Sequence, residues 1–171
     1  MSYPYLFGTS YGLPKSCMVH PLANIAGELT AGESCRIDPF VTITGRVTLG
    51  KNVHVGIGAC IFGAGGVEIG DEVSIASGCK IFSATEDADS GMLSNPTITP
   101  HYARTAPVVI GARAVIGANS VVMPGVSIGE DTQVGALSFV NATLPGGQIY
   151  AGIPVRRLRA KPRLKQIKEA A

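Results

Sequence analysis

Beginning at Val19 and Ile25, an aliphatic or small residue returns at every sixth position, through Ala31, Ile37, Ile43, Leu49, Val55 and Ile61. After a slip of two residues the beat resumes at Ile69, Ile75 and Ile81. After one long interruption it runs on through Ile110, Ile116, Val122, Ile128, Val134 and Val140. A six-residue unit cannot bury its apolar face alone, so the repeat specifies an all-β stack in which three hexads make one triangular coil and successive coils supply a continuous core.

The fifth place of the hexad is also small or apolar, as at Leu29, Cys35, Val41, Val47, Val53, Ala59, Val73, Cys79, Ala114, Val126 and Thr132. First and fifth places therefore point inward from short strands. The second place is often Gly, at Gly50, Gly56, Gly70, Gly111, Gly117, Gly129 and Gly135, which suits a tight turn where a Cβ would clash.

At 171 residues and 46% hydrophobic content the chain suits one domain with a sizeable core. A net charge of +2 argues against a general nucleic-acid binder, although Arg156, Arg157, Arg159, Lys161, Arg163, Lys165 and Lys168 crowd the tail, either as a solvated surface or as a clamp for a phosphate-rich ligand. Cys17, Cys35, Cys60 and Cys79 show neither CxxC pairing nor a histidine at metal-ligand spacing, and read as small hydrophobes with no metal expected. With neither a signal peptide nor an apolar run of about 20 residues, a soluble cytoplasmic protein without a membrane span is expected.

Coils are expected over 19–81 and 107–144, with an N-terminal cap over 1–18. Residues 82–106 contain Glu86, Asp87 and Asp89 followed by Ser90, Gly91, Asn95, Pro96 and Pro100; an insertion this long points to a projecting, functional arm. Beyond Ala142 the beat fades into a tail, 145–171, in which Pro162 is placed to open a short helix.

The beat, the block VVIGARAVIGANSVVMPGVSIGEDTQVGALSFV and the closing IYAGIPVRRLR resemble the left-handed parallel β-helix hexapeptide acyltransferases. More narrowly, IFSATEDADSG, NPTITP and VHVGIGACIFGAGG are similar to the branch that acylates nucleotide-linked sugars for O-antigen and capsule synthesis, among them dTDP-4-amino-4,6-dideoxyglucose. The resemblance implies a homotrimer with active sites between subunits, acetyl-CoA as donor, and a sugar or nucleotide-sugar acceptor.

Such a reaction needs a base for the incoming nucleophile and donors for the tetrahedral oxyanion. Histidine is the natural base at neutral pH. His20 adjoins the cap and reads as structural or exposed, while His101 lies in the arm with Asp89 as a substrate-binding candidate. His54 closes the hexad LGKNVH between inward Val53 and Val55, so alternation turns it outward from a rigid strand. In the resembled branch a histidine stands at the matching place, which marks His54 as the catalytic candidate. Simpler hexapeptide acetyltransferases carry a loop histidine after a serine, but Ser83 is followed by Ala84. Glu86 and Asp87 instead match the branch's paired carboxylates, with an extra residue near Ala88 and Asp89.

For the donor, Gly117, Ala118, Gly135, Ala136 and Ser138 would admit the thin pantetheine arm, though tight turns require the same small residues. By the closing motif, Arg156 and Lys161 are phosphate contacts. The alternatives are O-acetylation of a sugar hydroxyl and, more remotely, a non-enzymatic scaffold. A zinc carbonic anhydrase of the same architecture would need three converging imidazoles, and the three histidines are widely spaced.

Overall fold

The computed structural model describes residues 6–86 and 103–162. The repeat winds them into a three-sided parallel solenoid. On the first face, Met18–Val19, Arg36–Ile37, His54–Val55, Ser74–Ile75, Val115–Ile116, Gln133–Val134 and Gln148–Ala151 stack as successive rungs. Met18, Arg36 and His54 align at intervals of eighteen residues, three hexads per coil. The second and third faces merge low in the stack, because Asn24–Ala31, Thr42–Leu49 and Cys60–Ile69 each run around a corner without breaking. Higher up the two faces separate into Lys80–Phe82, Val121–Val122 and Phe139–Val140 on one side, and Val108–Ile110 and Ser127–Ile128 on the other.

First and fifth hexad places build the core. Ile37, Val55, Ile75, Ile116 and Val134 form one inward ladder, and Ile43, Ile61, Ile81, Val122 and Val140 form another, all buried. The two-residue slip is a bulge after Gly63: Gly45 pairs with Gly63, but Val47 pairs with Val67. The second-place glycines do face the crowding expected of them, since a Cβ on Gly111 would lie 2.5 Å from Glu130 N in the next coil. Left-handed backbone, however, falls two places later, on Asn52, Glu72, Arg113, Asn119, Asp131 and Leu137. At the second place glycine therefore serves close approach of coils, and the positive φ two places later is carried by these residues and by Gly58, Gly78 and Gly125.

At the lower end Leu6–Phe7 pairs antiparallel with Met18–Val19. The arm is rooted in an antiparallel ribbon of Ala84–Glu86 with Ala103–Thr105. Past residue 144 the solenoid gains a further rung, Gln148–Ala151, with Tyr150 in the inward place, and Arg156–Ala160 folds back antiparallel on it. The tail helix expected after Pro162 falls outside the described residues.

Cys17, Cys35 and Cys79 are buried and Cys60 half-buried. Burial pushes the Cys35 thiol up to about 11, against the downward pull of a backbone hydrogen bond with Val53, and burial also raises Cys79. Both stay protonated thiols near neutral pH. Iodoacetamide at pH 8 is therefore expected to spare Cys35 and Cys79 in the native protein and to alkylate both after denaturation, read by mass spectrometry; rapid native alkylation of either would contradict the packing.

Candidate active site

Alternation along the short strand His54–Val55 sends Val55 into the core and His54 outward, leaving the imidazole side chain 43% exposed. Its Nε2 lies 2.9 Å from Asp38 Oδ2, and the other carboxylate oxygen, Oδ1, accepts a 2.7 Å bond from Arg36 Nε. Arg36 is the direct rung partner of His54 one coil below, so the parallel register places all three side chains together. The Asp38 side chain is 7% exposed. A carboxylate only accepts, so Nε2 carries the proton of the neutral imidazole and the lone pair sits on Nδ1. Outward position, one buried anchor and one accepting nitrogen are what a proton acceptor requires.

Asp38 was not singled out by sequence reasoning, yet a signal was present. It occupies the second hexad place, where Gly56, Gly117 and Gly135 stand in the same corner of other coils. His20 holds that place one coil below Asp38; it is buried, and its Nδ1 accepts the Leu22 N–H at 3.1 Å.

Glu86 is exposed at the foot of the arm ribbon. That ribbon leaves the corner between the second and third faces, whereas His54 adjoins the corner between the first and second, so the carboxylate bonded to His54 is Asp38. Asp87, Asp89 and His101 lie outside the described residues. Ser83, before the arm, is buried, donating to Phe62 O at 2.7 Å and accepting from Gly65 N.

Gly117, Ala118, Gly135 and Ala136 line the His54 corner higher in the stack. Gly117 stands two rungs above Gly56 and Gly135 three, roughly 10 and 15 Å along the edge. Ser138 turns inward, 2% exposed, with its hydroxyl bonded to Gly135 O. Arg156 pairs with Ala151, the residue nearest a Cβ built on Gly135, and so adjoins this stretch of the corner. Lys161 sits at the opposite corner of the first face, its Nζ 3.5 Å from Arg113 O. The small residues of this corner and Arg156 are thus brought together, and Lys161 is held apart from them. No helix among the described residues is long and apolar enough to cross a membrane.

Comparison with known proteins places this geometry. Residues 107–142 match the bacterial transferase hexapeptide model, and residues 46–83 match the hexapeptide repeat of succinyl-transferase. The dTDP-4-amino-4,6-dideoxy-D-glucose acyltransferase of Escherichia coli is 32% identical over 106 residues, 61% of this chain and 55% of the relative, so the match spans about half of that protein's length. The carnitine operon protein CaiE of Escherichia coli O7:K1 is 32% identical over 93% of this chain and 72% of its own. Among solved structures, a variant of AntD, an N-acyltransferase from Bacillus cereus in complex with dTDP-4-amino-4,6-dideoxyglucose and coenzyme A, aligns at 31% identity and a TM-score of 0.89, covering 95% of this chain and 93% of that one. The six-residue repeat, the parallel solenoid it winds and these near full-length likenesses identify the chain as a member of the left-handed β-helix, hexapeptide-repeat acyltransferase family.

Proposed function

We propose that this protein transfers an acetyl group from acetyl-CoA to the amino group of a nucleotide-linked amino-deoxysugar, with His54 as general base, in cytoplasmic synthesis of surface polysaccharide such as O-antigen or capsule. The observation that carries the reading is the likeness to AntD over 95% of the chain, joined to an outward imidazole anchored by a buried carboxylate.

In this reading the sugar amine attacks the thioester carbonyl carbon, forming the C–N bond, and His54 Nδ1 takes the proton the nitrogen sheds. Backbone N–H groups along the corner stabilise the oxyanion. Collapse of the intermediate breaks the C–S bond and releases the coenzyme thiol. The glycine and alanine backbone at 117–118 and 135–136 accepts the pantetheine arm, with exposed Leu137 beside it, and Arg156 meets a phosphate.

Leu22, Phe40 and Ile57 form an exposed apolar ridge along the His54 corner. The neighbouring copy in a homotrimer covers this ridge and brings its own Glu86 to the imidazole, which one chain's geometry keeps on separate edges. Sedimentation as three copies is the expected result, and a monomer at active concentrations would refute the shared site.

Thiol release from acetyl-CoA, followed with a panel of nucleotide-linked amino sugars, nucleotide-linked neutral sugars and simple galactosides, tests the acceptor. Turnover confined to the amino sugars is expected. Turnover only with hydroxyl acceptors would replace N-acetylation by sugar O-acetylation, and no turnover with any acceptor would overturn the reading.

A further inference from the structure

We infer that the upper end of the solenoid is a docking surface for an anionic phospholipid bilayer, with the basic strand Arg156–Ala160 against the headgroups and Leu158 and Ile153 entering the apolar boundary beneath them. The chain lies on such a membrane and does not span it.

Arg156–Ala160 is the last strand of the first face, paired on one side with Gln148–Ala151, and all five of its residues are exposed. Its outer edge carries no further strand among the described residues. Ile149 pairs with Arg159 and Tyr150 with Arg157, so Leu158 is the extra residue of a bulge, and it is 62% exposed. Ile153, in the turn that leads into the strand, is 76% exposed, more than any other large hydrophobic among the described residues. From 145 to 162 the sequence holds Arg156, Arg157, Arg159 and Lys161 and no acid, and directly beyond it adds Arg163, Lys165 and Lys168 against Glu169 alone. No carboxylate pairs with the three arginines among the described residues; Arg157 Nε donates to Gln148 Oε1 at 2.8 Å, and Glu130 and Asp131 in the coil below are committed to Arg113.

Charges and a bulge by themselves protect an open edge, because both deter the pairing of another strand. The two aliphatic side chains do the opposite, since bare leucine and isoleucine at a sheet end invite association. Aliphatics set among unpaired arginines, with no acid beside them, match a surface that is anionic outside and apolar within. A second copy docked edge to edge would press one set of arginines against the other. A nucleic acid would take the arginines and leave Leu158 and Ile153 facing water. Arg156 stands at the end of the strand next to the residues proposed for the donor, so Arg157, Leu158 and Arg159 form the part of the surface that lies clear of that site.

Flotation of the full chain with vesicles of phosphatidylglycerol and phosphatidylcholine in equal parts, against vesicles of phosphatidylcholine alone, makes the test. Binding to the mixed vesicles, none to the neutral ones, and weakening as salt is raised are expected. Arg159→Gln should weaken the binding by about fivefold and Leu158→Ser by at least as much, while Arg159→Lys keeps it near wild type. Both side chains are exposed, so melting temperatures of these variants should stay close to wild type. No binding, equal binding to both kinds of vesicle, or variants that bind as wild type does would overturn the inference. Weakening by Arg159→Gln without weakening by Leu158→Ser would reduce the contact to charge alone and overturn it as well. Repeating the flotation with saturating coenzyme A separates the two uses of positive charge: retained binding is expected, and release from the vesicles would return the strand to the donor's phosphates. Capture by single-stranded RNA at the same salt, with the vesicles left bare, would make the partner a nucleic acid and sink the membrane.

Discussion

Replacing His54 with alanine is expected to lower kcat with a nucleotide-linked amino sugar by on the order of a hundredfold or more, while the melting temperature and acetyl-CoA affinity stay close to wild type. The expectation follows from where the imidazole sits. Its neighbours Val53 and Val55 carry the core packing, and the ring itself is outward and partly exposed, so truncation opens no interior cavity. Asp38 keeps its bond to Arg36, so the buried carboxylate is not stranded without a partner. The small residues proposed to take the donor lie two and three rungs away along the edge, which separates donor affinity from proton transfer. Calorimetric binding of acetyl-CoA and steady-state rates on one preparation make the measurement. Near wild-type turnover would move the base to the arm, and lost donor affinity would mean that the ring helps bind coenzyme A.

Much of the scaffold is legible in the chain because the β-helix is periodic. Inward places such as Ile61 and Ile116 repeat every six residues, and the slip after Ile61 is visible as two surplus residues before Ile69. The last rung is less legible. Pro145, Gly146 and Gly147 break the beat, and Gln148–Ala151 is a strand only because Gln133–Val134 offers it an edge and Arg156–Ala160 returns to cover it. Pairing set by the edge on offer rather than by the six-residue beat leaves no local signature.

The site shows the same division. His54 is found by hexad place, because place decides which side of the wall a residue faces. Its partner is harder to see. Asp38 is sixteen residues upstream, and only the stacking of one coil on the next makes the two neighbours. The charged arm residues draw more notice in the sequence, yet Glu86 springs from another edge of the prism. A polar residue in a place held by small residues higher in the stack was the usable clue: Asp38 departs from the column that Gly56, Ala76, Gly117 and Gly135 continue. Such departures cost packing, and proteins retain them chiefly where a site is being built.

The largest loss of stability is expected from Gly45→Ala. Gly27, Gly45 and Gly63 lie in register where three long strands turn a corner, backbone stacked on backbone. A Cβ on Gly45 would fall 2.7 Å from Ala64 N, and Gly45 itself has a φ of +70°, so the methyl group meets both an immovable neighbour and an unfavourable backbone conformation. Gly12 separates the two effects: its φ is +71°, but a Cβ there meets nothing within 4 Å. Gly12→Ala should therefore cost only the backbone term, about 1 kcal/mol. Gly45→Ala adds overpacking and should cost about 3 kcal/mol or more in total, lowering the melting temperature by roughly 6 to 12 °C against roughly 2 to 4 °C for Gly12→Ala. Circular dichroism melts of both variants make the comparison, and equal shifts would mean that the corner yields to a methyl group. Ser83 and Ala106 bracket the arm beside Gly65, two residues beyond this column, so displacement at the corner also tilts the ribbon that presents Glu86. Activity of Gly45→Ala is then expected to fall well below the melting point, whereas Gly12→Ala should remain active until it unfolds.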